Sequence, residues 1–236
     1  MYEGVHARPD GESTVARLAA TAADYGFEGI VVRNHGDAQT SYDSGGIADE
    51  YGVDVVEGIE IRSDDVGQAS GLVGNYRSKR TVVCVHGGSL NRFAVEQSQV
   101  DVLAHPMRNG DVNHVLAKAA AENDVRLEFN FARVLRADGG PRVKAIRRLR
   151  KLRELVEQYD APYVVSADPR SHLQLRSPRE LAAVGSVLGF APEEVTDGLR
   201  EWKRLVDRNR SRRSDSVVAP GVRIERDVDT DWEESK

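Results

Sequence analysis

The sequence Thr81-Val82-Val83-Cys84-Val85-His86-Gly87-Gly88 begins with five β-branched or small residues in a row. A continuous apolar run of this length is typical of a strand that is buried on both faces, as the strands of a parallel sheet are. Polar residues follow only where the run ends, and Cys84 fits a small buried hydrophobe. Helix-like segments at Asp65–Tyr76 and Asn91–Glu96 flank the run, so this part of the chain has the strand–helix alternation of a parallel sheet.

The same alternation continues over most of the chain. We predict strands at Tyr2–Ala7, Gly29–Arg33, Val53–Ile61, Thr81–Val85, Val100–Ala104, Arg126–Phe131 and Tyr163–Ser166. We predict helices at Ser13–Tyr25, Gly45–Tyr51, Asp65–Tyr76, Asn91–Glu96, Val112–Asn123, Arg142–Tyr159, Ser177–Leu188 and Pro192–Asp207. The first strand is not followed by the G-x-G-x-x-G spacing of a dinucleotide-binding sheet. The predicted fold is therefore α/β, a single TIM-like (βα) barrel of about seven parallel strands with extra C-terminal helices.

We predict that residues 1–207 form the barrel domain and that residues 208–236 form a tail. The tail begins with the basic stretch Arg208–Arg213 and becomes acidic towards its end, where five Asp and Glu residues lie between Asp227 and Glu234. From Ser214 onwards it has no helical periodicity. Such a composition predicts a disordered segment.

Composition limits the class of protein. Of the 236 residues, 40% are hydrophobic, which is enough for a packed core, and no apolar run approaches the roughly 20 residues of a membrane helix. The single cysteine excludes an internal disulfide and a cysteine-rich zinc site. The N-terminus does not resemble a signal peptide, so we expect a cytoplasmic protein without a membrane partner. Net charge is −5, and the basic residues are nearly all Arg, which favours adaptation to high salt.

Polar side chains follow the predicted strands at their carboxyl ends, where α/β barrels carry their functional groups. The candidate rim residues are His6, Asn34, His35, Glu60, His86, His105, Asp168 and His172. Five of the six histidines belong to this set, and only His114 lies outside it. Two interpretations remain open: a site in which several divalent metals activate water for phosphoester hydrolysis, or a relic whose side chains brace loops through hydrogen bonds.

The rim resembles that of the polymerase and histidinol phosphatase family, whose barrels carry a multi-metal hydrolytic site. Glu60 and His105 match ligands of that family. The opening His-x-His motif reads Gly4-Val5-His6 here, the Asp-His motif reads Asn34-His35, and the last motif is stretched to Asp168-Pro169-Arg170-Ser171-His172. One histidine and one carboxylate are therefore missing. Metal-dependent phosphoester hydrolysis is the alternative function that this resemblance implies.

A second resemblance, to the ribonuclease P protein component 3 family of archaea and eukaryotes, extends over roughly residues 1–200. The matching segments are Tyr2–Thr14, Asn34-His35-Gly36-Asp37, Val85-His86-Gly87-Gly88, Asn91-Arg92, Val100-Asp101-Val102-Leu103-Ala104-His105-Pro106 and Ser166-Ala167-Asp168. The resemblance implies a subunit of a ribonucleoprotein that trims the 5′ end of precursor tRNA. It implies that the rim is structural or a vestigial metal site.

It further implies that the RNA subunit catalyses the reaction with magnesium, so that the chain alone binds no cofactor and cleaves nothing. The expected partners are ribonuclease P RNA, protein component 2 and, through the complex, precursor tRNA. A barrel that only organises partner proteins is a third possibility.

Basic residues concentrate between Arg126 and Arg153, where ten positive and two negative side chains give a local charge of +8. Arginine suits bidentate contacts with phosphate, which give affinity without sequence information. The predicted RNA-binding residues are Arg133, Arg136, Arg142, Lys144, Arg147, Arg148, Arg150 and Lys151. The alternative is a solvated helix face, but acidic partners for such a face come only at its end, at Glu154 and Glu157. Aromatic residues are few, so phosphate and shape recognition is expected rather than base stacking.

Overall fold

Seven parallel strands form the centre of the molecule in the computed structural model, which describes residues 1–213, 217–219 and 222–223. Each strand pairs with its neighbour in the chain, in the order β1 to β7. The strands are β1 (Tyr2–Val5), β2 (Gly29–Val32), β3 (Asp54–Ile61), β4 (Val82–His86), β5 (Val102–Ala104), β6 (Arg126–Asn130) and β7 (Tyr163–Ser166). The order and the parallel pairing confirm the predicted TIM-like barrel.

Helices surround the sheet. They are α1 (Val15–Asp24), α2 (Ser44–Tyr51), α3 (Val66–Arg77), α4 (Asn91–Val95), α5 (His114–Glu122), α6 (Ala132–Arg136), α7 (Gly139–Tyr159), α8 (Pro178–Leu188) and α9 (Pro192–Arg213), with a 3₁₀ turn at His172–Gln174. Side chains cap several of them; Ser177 and Glu180 form the reciprocal capping box at the start of α8. Gly189, at φ 98°, ends α8 in the left-handed conformation that glycine adopts without strain. None of the helices described here is long and apolar enough to cross a membrane.

The interior of the barrel is filled by side chains from alternate strand positions and from α9. Tyr2, Val31 and Cys84 point inwards and pack with Trp202 of α9, whose side chain is fully buried. The other faces of the strands pack against the outer helices in a second, larger core. Since successive strand residues face opposite sides, the continuous apolar runs in the sequence reflect burial on both faces.

Helix α9 covers the end of the barrel where the strands begin. Arg210 pairs with Asp54 at 2.6 Å, and Asn209 donates to the Thr81 carbonyl at 2.8 Å, both near strand starts. Arg208 pairs with Asp101 at 2.6 Å, just before β5. With this end covered, the opposite end, where the strands finish, is the one that carries the rim residues.

β1 and β7 are the two ends of the strand order, and side chains join them. The Glu3 carboxylate accepts hydrogen bonds from Ser166 Oγ at 2.5 Å and from the Ala167 amide at 3.1 Å. Trp202 Nε1 donates to the Val165 carbonyl at 2.9 Å. The Ala167 amide and the Val165 carbonyl, two backbone groups that would otherwise need a partner strand, are thus hydrogen-bonded by side chains. We call this junction the barrel seam.

The structure differs from the sequence prediction at several element boundaries. Residues 132–136 form helix α6, where no helix was predicted, and α7 begins at Gly139 rather than Arg142. Helix α9 continues to Arg213, beyond the predicted end near Asp207, because Arg208 and Arg210 find carboxylate partners on the barrel. Within the predicted disordered tail, β8 (Val217–Ala219) and β9 (Val222–Arg223) pair antiparallel. The acidic residues 227–234 lie outside the described residues.

Candidate functional site

Six of the eight predicted rim residues converge at the carboxyl ends of the strands. They are His6, His35, Glu60, His86, His105 and Asp168, which we call the rim cluster. All have buried side chains except His86, which is 12% exposed. The histidine rings lie against one another, with His6 and His35 stacked at 5.2 Å between centroids and His86 and His105 at 4.5 Å.

The other two predicted rim residues lie outside the cluster. The Asn34 side chain bonds to the Ala7 backbone and to the Ala38 carbonyl, so it braces the loops after β1 and β2. His172 Nδ1 lies 2.9 Å from Ser13 Oγ, on the far side of the loop after β7. Asn34 is adjacent to His35, and His172 comes four residues after Asp168. A search for polar residues near strand ends therefore selects Asn34 and His172 together with these two cluster residues.

Glu60 is the centre of the rim cluster. Its Oε1 lies 2.5 Å from His86 Nδ1, 3.4 Å from His35 Nε2 and 3.5 Å from His105 Nε2. Its Oε2 lies 3.6 Å from His6 Nε2, and that nitrogen is 3.1 Å from Asp168 Oδ1. Three imidazole nitrogens (Nε2 of His6, His35 and His105) and Glu60 Oε2 are buried without a hydrogen-bond partner among the described residues.

Two residues of the cluster stand on strained backbone. His105 follows β5 with φ 51°, and Asp168 follows β7 with φ 50°. Both values fall in the left-handed region, which costs a residue with a Cβ about 1–2 kcal/mol. Strain of this kind persists where the surrounding structure fixes it and is concentrated at functional sites.

Arg33 lies beneath the cluster and was not among the predicted site residues. Its guanidinium is fully buried and pairs with Glu128 at 2.6 Å, Asp168 at 3.0 Å and Glu60 at 3.3 Å. Gly4 provides the space, since a Cβ there would lie 2.9 Å from Arg33 Nε. The sequence did contain a signal: Arg33 is two residues after the inward-facing Val31, so strand alternation aims it into the barrel.

Asp10 is the second residue that was missed. Its Oδ2 lies 2.7 Å from His6 Nδ1 and 2.8 Å from His35 Nδ1. Burial alone would raise the pKa of Asp10, but hydrogen bonds from His35 and His6 outweigh it and hold that pKa far below its ordinary value. Likewise burial opposes protonation of His35, yet Asp10 and Glu60 raise its pKa to about 9. Asp10 thus orients two imidazoles so that their Nε2 atoms point inwards.

A cavity of about 290 Å³ opens beside the rim cluster. His105, Glu128, Asn130 and Asp168 form one part of its lining, and basic side chains form much of the rest. The basic residues are Arg108, Arg133, Arg136, Lys144, Arg148 and Arg170. We call this feature the basic cavity; it connects the rim with the basic helix α7.

The eight predicted RNA-binding residues separate into two groups. Five are already engaged: Arg136, Arg148 and Arg150 donate to backbone carbonyls, Arg142 reaches Asp138 and the Leu135 carbonyl, and Lys151 pairs with Asp111. The other three, Arg133, Lys144 and Arg147, are exposed and have no protein partner in the described part of the chain. Arg133 and Lys144 line the basic cavity, as does Arg108, which the sequence analysis did not single out.

The family model described as RNase P subunit p30 matches residues 2–214 of the chain. The chain belongs to the RNase P subunit p30 family. It is 74% identical over 232 residues to a ribonuclease P protein component 3 of Natronomonas pharaonis, covering 98% of both chains. It is 64% identical to the component 3 of Haloarcula marismortui, covering 97% of this chain and 99% of the relative. The predicted adaptation to high salt agrees with these halophilic relatives.

Two solved structures share the barrel fold of this chain. A chain of archaeal ribonuclease P, determined by electron cryomicroscopy with mature tRNA, superposes with a TM-score of 0.81 at 24% identity over 97% of this chain and 99% of that one. A histidinol phosphate phosphatase of Lactococcus lactis, solved with zinc, L-histidinol and phosphate, has a TM-score of 0.52 at 11% identity. The match covers 88% of this chain and 93% of the phosphatase. The chain is thus a protein subunit of ribonuclease P built on a barrel of this architecture.

Proposed function

We propose that this ribonuclease P subunit binds the RNA of the enzyme through the basic cavity and the adjoining face of α7. The observation that carries this proposal is the grouping of four exposed cations at the basic cavity and on the adjoining face of α7. They are Arg108, Arg133, Lys144 and Arg147, and none of their side chains has a partner in the described part of the chain. Lys144 and Arg147 are three residues apart on α7 and therefore lie on neighbouring turns of one face. Unpaired cations at this spacing are available to phosphate groups.

The contrast with the rest of the surface supports this assignment. Elsewhere exposed arginines are largely paired, as Arg62 is with Asp37, Arg92 with Glu96 and Arg200 with Asp197. In a chain with a net charge of −5, a group of unpaired cations is the part of the surface that attracts a polyanion. The second basic segment, at the end of α9, is mostly engaged with the barrel, which makes it the weaker candidate.

In this proposal the subunit works in the cytoplasm and the RNA performs the cleavage with magnesium. The chain holds ribonuclease P RNA in place together with protein component 2, and it meets precursor tRNA through the complex. A fixed arrangement of cations on a rigid helix suits recognition of phosphate positions and RNA shape, since α7 spans 21 residues and packs on the barrel through Leu149, Leu152 and Val156.

The test is reconstitution of precursor tRNA cleavage from the RNA subunit and component 2, with and without this chain, across a salt series. We expect strong dependence on the chain and no cleavage by the chain alone. If the chain has no effect on the RNA enzyme, the proposal is wrong; cleavage by the isolated chain would instead support a metal-dependent phosphoesterase.

A further inference from the structure

The inner end and the mouth of the basic cavity differ in chemistry. Glu128 and Asp168 are buried and place carboxylates at the inner end, whereas Arg108, Arg133 and Lys144 are exposed at the mouth. The apolar residues of the wall include Pro106, Met107, Ala132, Ala145 and Leu149. A bare phosphate would use the cations alone, because carboxylates repel it and apolar walls offer it no hydrogen bond. The cavity therefore fits a ligand with an anionic end, an apolar body and hydrogen-bond donors.

Hydrogen-bonding capacity is left over at the inner end of the cavity. Asp168 Oδ2 lies 3.8 Å from His105 Nε2, beyond hydrogen-bond distance, and accepts no hydrogen bond from the described residues. Asn130 Nδ2 donates to Glu128 at 3.2 Å, and its Oδ1 accepts from a backbone amide at 3.0 Å. One N–H and one lone pair of the Asn130 amide remain. A carboxylate acceptor beside a carboxamide is a pair of groups with which proteins read the edges of nucleobases.

Hydrogen bonds to the backbone hold the cavity in one shape. Arg148 donates to the carbonyls of Met107 and Arg108 at 2.9 and 2.8 Å, so α7 fixes the loop after β5. Arg136 donates to the carbonyls of residues 167–168 at 3.0 and 2.9 Å and so fixes the loop after β7. The resulting volume of about 290 Å³ is close to the lower end of the range for small-ligand sites, ~300–1,000 Å³. The cavity thus has room for a single nucleotide, whereas a duplex would stay outside.

We propose that the basic cavity receives one unpaired nucleotide of ribonuclease P RNA. The base enters between the apolar walls, its exocyclic amino group donates to Asp168 Oδ2, and Asn130 bonds the same edge. The phosphates on either side stay at the mouth, on Arg108, Arg133 and Lys144. The base is therefore adenine, cytosine or guanine, since uracil has no amino group to donate to a carboxylate.

This proposal rests on the RNA interface proposed above and deepens it. Phosphate contacts on α7 give affinity without sequence information, whereas a base inside the cavity fixes one position along the RNA. Unpaired bases that leave the stack are the usual targets of sequence-specific RNA recognition. Among the described residues no aromatic ring lines the cavity, so hydrogen bonds, apolar walls and the guanidinium plane of Arg133 hold the base.

Filling the cavity without changing its charge tests the proposal. Ala145→Trp, on α7, and Ala137→Trp, at the end of α6, each place an indole in the cavity and retain every cation. We expect each variant to bind ribonuclease P RNA about 10-fold more weakly, which is the scale of one lost base contact. The slope of log K against log salt should stay that of the wild-type chain, because no phosphate contact is lost. Val115→Trp is the matched control, since it adds the same side chain at an exposed position of α5 outside the cavity.

Chemical probing of the bound RNA identifies the nucleotide. Dimethyl sulfate reads unpaired adenine and cytosine, and kethoxal reads unpaired guanine. We expect one unpaired nucleotide to be protected by the wild-type chain and by Val115→Trp, and to react when Ala145→Trp is bound. Every chain is present at a saturating concentration, so that loss of protection reports the cavity rather than the affinity. Unfolding curves check that each variant is folded.

The outcomes separate this proposal from the RNA interface on which it rests. Wild-type affinity and unchanged protection with folded Ala145→Trp and Ala137→Trp would overturn the nucleotide site and leave the phosphate contacts of α7 in place. A shallower salt slope in these variants would also overturn it, because the indole would then be displacing phosphates. If Lys144→Ala with Arg147→Ala binds RNA like the wild-type chain as well, the interface itself is wrong and the nucleotide site falls with it.

Discussion

Removing the unpaired cations on α7 is the sharpest perturbation of the proposed RNA interface. The double variant Lys144→Ala and Arg147→Ala removes two exposed cations that contact no carboxylate or carbonyl in the described residues. Arg150 is a poorer choice, since its guanidinium donates to the Val187 carbonyl at 2.6 Å and so ties α7 to α8. The fold should therefore tolerate the double change, and its effect should be confined to RNA.

The expected magnitude follows from two phosphate contacts. At about 1 kcal/mol for each exposed charge pair, binding at low salt weakens about 30-fold. Each contact also releases counterions. With the coefficient of a B-form duplex, the slope of log K against log salt becomes shallower by about 0.9 per contact, or ~1.8 in total. The double variant thus differs most from the wild-type chain at low salt, and the difference shrinks as salt rises.

The assay is binding of ribonuclease P RNA by filter retention at five or more KCl concentrations, with unfolding curves as a check of the fold. The control is Arg200→Ala with Arg204→Ala, two exposed cations on α9 that already pair with Asp197 and Glu201. We expect no change of slope for the control. An unchanged slope in the Lys144 and Arg147 variant would refute the proposed interface, and a larger change in the control would move the interface to α9.

Three further predictions concern the barrel itself. Trp202→Ala empties the barrel interior and removes the bond to the Val165 carbonyl, so the free energy of unfolding in denaturant should fall by about 3–5 kcal/mol; a loss below about 1 kcal/mol would show that α9 does not fill the barrel. Arg33→Met leaves three buried carboxylates without their guanidinium and should cost about 3–5 kcal/mol, whereas Arg62→Met, at an exposed pair, should change stability by less than about 0.5 kcal/mol. Burial raises the pKa of Glu3 to about 7 from 4.5, against the hydrogen bonds from Ser166 and Ala167. Stability from this raised carboxyl pKa is fully present below 4.5 and is lost as pH rises through 7, by about 3 kcal/mol. The free energy of unfolding of wild type should accordingly fall relative to that of Glu3→Gln as pH rises from 5 to 8. A wild-type minus variant value that is independent of pH would contradict this origin.

The fold could be predicted because burial on both faces leaves a strong mark in the sequence. Runs such as Val82–Val85 have no polar residue until the strand ends, and helices between the strands carry capping residues such as Thr14 at the start of α1. The rim cluster could be predicted for the same reason, since parallel strands bring their carboxyl ends to one side. The short helix α6, which lacks a side-chain cap, has no comparable signal in the sequence and was not predicted.

Pairing between distant side chains could not be predicted in this way. Arg33 was missed because strand propensity says nothing about which carboxylates surround an inward-facing residue, and Asp10 was missed because it lies in a loop rather than at a strand end. The basic residues of α7 were grouped by charge alone. Only the structure separates Arg148, which holds two backbone carbonyls, from Lys144, which holds none.

The barrel seam has a consequence for how the chain acquires its structure. Glu3 meets Ser166 across 163 residues, and the indole that supports the junction comes later still, at position 202. Closing so long a loop is slow, because the entropy is lost before the contacts form. A nascent chain released before α9 is made carries two open strand edges, which pair readily with other chains. We therefore expect that completion of α9 protects these edges from aggregation during synthesis.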